Sequence, residues 1–170
     1  VIRAVARRAG LPEGSSGHFT SGGSEANETA LVLALTRAEP RFATDGARGF
    51  SGQPVLYVSA DSHLAWLKMA HVSGIGRAAV RLVATDGAGR MDVARLEAAI
   101  ADDRGSGRVP VMIAATAGTT NAGMIDPLRE LAAVAARESV WLHVDAAWAG
   151  AMIASERLSR HLAGLERGDS

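Results

Sequence analysis

Four short apolar runs, at residues 55–59, 79–83, 111–115 and 140–145, alternate along this chain with stretches in which apolar residues recur at helical spacing. That alternation constrains the fold more than any other feature. Strands separated by helix-length connections pair in parallel, and a parallel sheet must be covered on both faces. Helices are expected over residues 63–72, from the cap Asp92 through Leu96 and Ile100, and over 127–137. An earlier helix is expected over 24–38, where Ala26, Ala30, Leu31, Ala34 and Leu35 form one stripe, Ser24 is the N-cap, and Glu25 and Glu28 complement the first turn. Ile2, Val5 and Ala6 suggest a short helix ending at Gly10, and residues 40–54, punctuated by proline and glycine, read as a surface loop. The expected architecture is α/β, a mostly parallel sheet flanked by helices.

Composition narrows the function classes. The chain has 170 residues, 48% hydrophobic and 21% charged, which suits one globular domain with a real core. Basic and acidic residues balance at 18 each, so nothing favours a nucleic acid or an anionic membrane as partner. The expected partner is a small molecule. Without cysteine there are no disulfides and no thiolate metal sites, and without a signal peptide or apolar span a cytoplasmic location is the default expectation. The chain opens on Val1, within a helical pattern, and ends on the turn-like Gly168-Asp169-Ser170, so both ends are expected to be truncated.

In open parallel sheets ligands bind beyond the carboxyl ends of the strands, and the unusual residues of this chain fall there. Thr20-Ser21-Gly22-Gly23-Ser24-Glu25-Ala26-Asn27 places two glycines and hydroxyl residues just before a helix, where unpaired N–H groups and the helix dipole attract an anion such as phosphate. An ordinary glycine turn with a serine cap is the plainer reading. His143 and Asp145 share one side of a strand, and a carboxylate at that position needs a partner. Three partners are open: a pyridinium N–H, a metal held with His143, or a hydrogen-bonded pair with no catalytic role. Small Ala146 and Ala147 favour the flat ring, because they let an aromatic approach the backbone. His63, at a strand-to-helix junction, could stack on a ring, move a proton or simply start the helix. The loop Ala117-Gly118-Thr119-Thr120-Asn121-Ala122-Gly123 offers hydroxyls and an amide to a ligand's polar edge, although such residues are common in turns. His18, His71 and His161 have no comparable context.

Taken in order, Thr20 to Asn27, Ser62-His63, Gly118-Thr119-Thr120 and Trp141-Leu142-His143-Val144-Asp145-Ala146-Ala147-Trp148-Ala149-Gly150 resemble the group II pyridoxal-phosphate-dependent amino-acid decarboxylases. The resemblance implies pyridoxal 5'-phosphate (PLP) as cofactor and the fold type I large domain of the aspartate-aminotransferase kind. Residues 1–170 would be an incomplete PLP-binding domain, with the small C-terminal domain absent. It also implies that Gly23 and Ser24 bind the phosphate, His63 stacks on the ring, Thr120 lies beside it, Asp145 pairs with the pyridine nitrogen and Ala147 packs against the ring. Catalytic roles fall to His63 and Asp145. The resemblance also implies the family's Schiff-base lysine shortly after the Asp-Ser that here ends the chain, within about ten residues beyond Ser170; Lys68, the only lysine, sits on a helix face suited to solvent and does not stand in for it.

The implied reaction is decarboxylation of an L-amino acid, preferably aromatic, by a homodimer, with this segment inactive alone. Competing expectations are another PLP reaction (transamination, desulfuration or aldol cleavage), a non-catalytic fragment, and a metal hydrolase built on His143 and Asp145.

Overall fold

The computed structural model describes residues 1–170. Four strands, β1 (Pro54–Ser59), β2 (Val80–Val83), β3 (Val109–Thr116) and β4 (Trp141–Asp145), form one all-parallel sheet in the order β2-β1-β3-β4. The four apolar runs are these strands. Helices α1 (Ile2–Arg8) and α2 (Gly23–Ala38) precede the sheet, and α3 (Phe42–Asp45) follows α2. Then α4 (Ala65–Val72), α5 (Val93–Gly105) and α6 (Leu128–Glu138) form the crossovers, and a short α7 (Glu156–Ser159) lies beyond β4.

Both faces of the sheet are covered, which explains why its strands read as continuous apolar runs. Along β1, Val55 and Tyr57 join a core with Leu96 and Ile100 of α5 and Leu131 of α6. The alternate residues Leu56 and Val58 join a second core with Leu31 and Leu35 of α2 and Trp66 of α4. The period-two alternation of side chains thus feeds two separate cores.

Three local expectations need correction. Ser24 is not the N-cap: α2 begins at Gly23, its cap is Gly22, and no side chain caps it. Instead Glu25 reaches back to accept from both the N–H and the hydroxyl of Ser21, at 2.7 and 2.6 Å. Residues 42–49 are not an open loop but α3 followed by a 3-10 turn at Gly46–Gly49. Arg41 donates to the carbonyl of Gly49, and Phe42 meets Phe50 edge-on at 6.1 Å. β3 starts earlier than its apolar run because Pro110 sits where the β1–β3 register shifts, a place where its missing N–H is tolerated. The expected cap Asp92 is present, accepting from the N–H of Arg95 at 3.1 Å.

Beyond β4, residues 168–170 are not a simple turn. Ser170 N–H donates to Leu142 O and Ser170 O accepts from Val144 N–H, so the segment runs beside the outer edge of β4.

One polar cluster lies at the edge of the first core, with Asp103 and Tyr57 buried and its arginines reaching toward solvent. Asp103 of α5 accepts from Arg81 at 2.7 and 3.0 Å, from the Tyr57 hydroxyl at 3.0 Å and from Arg108 at 3.0 Å. Burial works against ionising Asp103, but the bonds from Arg81 and Tyr57 outweigh it and hold its pKa below the ordinary carboxylate value. Burial, reinforced by the Asp103 charge, pushes the Tyr57 phenol up.

Candidate cofactor site

Beyond the carboxyl ends of β3 and β4 lies a cavity of about 330 Å³, lined by Gly23, Ser24, Asn27, His63, Thr116, Gly118, Thr120, Asp145, Ala147 and Trp148. All six residues singled out from the sequence line it. Its volume falls in the range of small-molecule sites, and its lining is mostly polar. A depression of about 400 Å³ at the opposite end of the strands, near Arg37, Trp141 and Asp169, gathers none of these residues.

The first turn of α2 forms one wall. Glu25 and Ala26 donate back to Gly22 O, whereas nothing in the chain accepts from the N–H of Gly23 or Ser24. Those two donors, at the positive end of a 16-residue helix, suit an anion. A Cβ on Gly23 would stand 3.1 Å from the Ala147 Cβ, so glycine lets this turn close against the segment after β4.

Asp145 ends β4 and forms the other wall. Its Oδ1 accepts from the N–H of Ala147 at 3.2 Å, a local turn, and its Oδ2 accepts from Asn27 Nδ2 at 2.8 Å. Two oxygens offer about four acceptor positions, so acceptor capacity remains for a ligand. His143 and Asp145 do not touch as a pair. Asn27 stands between them, with its Oδ1 3.0 Å from His143 Nε2. No group of three or more His, Asp or Glu side chains is arranged to hold a metal ion.

His63 is exposed at the cavity mouth, just before α4, and its Nδ1 accepts from the N–H of Ala65 at 3.2 Å. It therefore helps to start the helix while its ring lines the site. Thr120 is exposed on the loop after β3. That loop is held by Thr119, whose hydroxyl accepts from Met124 N–H at 3.0 Å, and by Gly118, which turns at φ +96 where a Cβ would press on Ala149 at 3.0 Å.

Two site-supporting residues escaped sequence reasoning. Asn27 lies inside the glycine motif but had no role there; its position one helical turn beyond Gly23, on the α2 face turned to the sheet, was the available signal. Asp126 is buried beneath the loop and accepts from the N–H groups of Met91 and Thr116, each at 2.7 Å. Burial raises its pKa, only partly offset by those two donors. Its partners are 35 and 10 residues away, and no local pattern announces them.

His143 is 6% exposed, and burial pushes its pKa from about 6.5 down to about 4 despite the pull of the Asp145 charge. Between those values the unfolded chain binds a proton that the folded chain refuses, so stability rises with pH across this window. The contribution is fully present above about pH 6.5 and is lost as pH falls through about 4. A shift of this size corresponds to about 3 kcal/mol. Urea unfolding at a series of pH values should show this dependence, and His143→Gln should flatten it; an unchanged slope in the variant would assign the effect elsewhere.

The family described as "Pyridoxal-dependent decarboxylase conserved domain" matches residues 2–170. L-2,4-diaminobutyrate decarboxylase of Rhizobium meliloti (strain 1021) is 43% identical over 170 residues, covering 100% of this chain and 32% of the relative. Among solved structures, mouse CSAD in apo form superposes with a TM-score of 0.96 at 34% identity, covering 99% of this chain and 35% of that one. Oryza sativa TDC with PLP and tryptamine gives a TM-score of 0.86 at 31% identity, covering 99% and 36%. The chain thus spans about a third of the length of the proteins it matches.

Proposed function

The chain belongs to the pyridoxal-dependent decarboxylase family, and from that premise we propose that it is the cofactor-gripping part of a PLP-dependent enzyme that decarboxylates an L-amino acid to its amine and CO2. The observation that carries this reading is the pairing, across one cavity, of two unpartnered N–H groups at Gly23 and Ser24 with the carboxylate of Asp145. A flat ligand with a phosphate at one end and a protonated ring nitrogen at the other fits that donor set, and the small residues Gly23 and Ala147 put no bulk on the cavity wall.

When bound, PLP supplies an electron-poor ring that takes up the electron pair left behind as CO2 departs. The chain's own residues hold and tune it. Gly23 and Ser24 anchor the phosphate through backbone N–H groups and the α2 dipole. Asp145 would accept from the ring N–H and so keep the proton on the ring. His63, its Nδ1 engaged with Ala65, would stack on the ring, Thr120 would lie beside it, and Ala147 would pack against it; all three line the cavity.

Substrate choice is a finer part of the proposal. Exposed Trp148 on the cavity wall supports an aromatic side chain, while the 43% identity to a diaminobutyrate decarboxylase supports a short cationic one. A homodimer is the proposed working form, because Leu64 and Trp148 leave exposed apolar surface beside the site for a second subunit to cover; no helix is long and apolar enough to cross a membrane. The test is amine and CO2 production, with added PLP, from a panel of tryptophan, tyrosine, L-2,4-diaminobutyrate, glutamate and aspartate by the protein expressed from its own gene. Products of amino-group transfer instead of CO2 would replace decarboxylation with another PLP reaction.

A further inference from the structure

An ionised carboxylate only accepts, so the Asn27 atom that meets Asp145 Oδ2 at 2.8 Å is the amide nitrogen. This fixes Asn27 Oδ1 toward His143 Nε2 at 3.0 Å, and a carbonyl oxygen can be met there only by a donor. Nε2 therefore carries the imidazole proton. On the other side of the ring, His143 Nδ1 lies 3.0 Å from the Ser170 hydroxyl. That hydroxyl already accepts from the indole N–H of Trp141 at 2.9 Å, and an indole can do nothing but donate. The hydroxyl hydrogen is left for a bare Nδ1. Every donor in the series points the same way, from Trp141 through Ser170, His143 and Asn27 to Asp145.

The surroundings keep the series intact. Trp66 crosses the His143 ring edge-on at 5.7 Å and 71°, and its own N–H finds no acceptor. The imidazole is thus walled by an aromatic. Burial opposes its protonation and outweighs both influences that favour it, the Asp145 charge and the Ser170 backbone. Asn27 is itself 4% exposed, so water has little access to the bonds it makes.

Resting on the cofactor reading above, we infer that Asn27 is a positioning residue: it ends a one-way hydrogen-bond relay that sets the His143 tautomer and fixes the Asp145 carboxylate, reserving its remaining lone pairs for the cofactor's ring N–H. His143 acts only through Asn27. The relay joins the same helix that carries the phosphate cradle to the strand that carries the carboxylate, so the two ends of the ligand are held by one connected unit.

The first readout needs no cofactor. In the protein as expressed from its own gene, labelled with 15N-histidine and with His143→Gln to assign the signal, His143 should be the neutral Nε2–H tautomer from about pH 5 to about pH 8. Asn27→Leu removes the acceptor and should give a mixture of tautomers. The same variant should raise the PLP dissociation constant on the order of ten- to a hundred-fold, the loss expected for a bond to a charged group. Asn27→Asp, similar in shape, should instead draw His143 toward the imidazolium, and it serves if the leucine variant does not fold. A merely structural Asn27 would lower the melting temperature without moving the tautomer. A wild-type Nδ1–H tautomer, or an Asn27→Leu protein with unchanged His143 signal and PLP affinity, would overturn the relay. Failure of the wild-type protein to bind PLP would sink the functional reading instead, and the His143 spectrum would still decide the relay.

Discussion

Protein carrying Asp145→Ala should lose turnover on the order of a hundred- to a thousand-fold, as expected when a positioned charge opposite a reacting group is removed. The loss should fall on kcat more than on KM, because the role proposed for Asp145 is toward the cofactor ring and not the substrate. The proposed phosphate anchor, the free N–H groups of Gly23 and Ser24, lies on a different element, so PLP should still bind, more weakly. Asp145→Asn should be nearly as damaging, since an amide can present its oxygen to the ring N–H but carries no charge to keep the proton there. Steady-state kinetics with a visible-absorbance titration of PLP separate the two effects. Near-normal kcat in the alanine variant would refute the assigned role.

The second large effect is on stability. Asp103→Ala should destabilise the fold by about 2–3 kcal/mol, because it leaves the buried Tyr57 hydroxyl and the partly buried Arg81 guanidinium without their carboxylate partner. Its pKa lies below the ordinary carboxylate value, so this contribution is present at neutral pH and is lost only as pH falls through the lowered value. Urea denaturation checks both points. A change under about 1 kcal/mol would show that the cluster behaves like a surface pair.

The contrast between Asp103 and Asp92 shows what could be read without coordinates. Asp92 bonds an N–H three residues away, and such a contact is written into local spacing. Asp103 bonds partners 46 and 22 residues distant, on strands whose neighbours only the assembled sheet defines. The four strands and the main helices were legible because period and turn chemistry are local signals, whereas the six residues around the cavity stood out through the resemblance of their ordered motifs to a known family. Serine before a helical stripe usually caps, which is why Ser24 reads as a cap; here Gly22 precedes the helix and Ser21 donates both its N–H and its hydroxyl to Glu25. The helical turns at 42–49 were hidden by glycines that end each piece, Gly46 at φ +62 among them. Asn27 was hidden for the same reason as Asp103, since its partners lie 118 and 116 residues away.

That separation also sets a timetable. A ribosome adds roughly 5–20 residues each second, so the 118 residues between Asn27 and Asp145 take roughly 6 to 24 seconds to make. Throughout that interval the anion-attracting turn of α2 exists without its opposing wall, and a cofactor meeting the nascent chain finds only half a binding site. Loading with PLP should therefore follow synthesis of β4 rather than accompany that of α2, and a ribosome stalled before Asp145 emerges should display a chain that retains no cofactor.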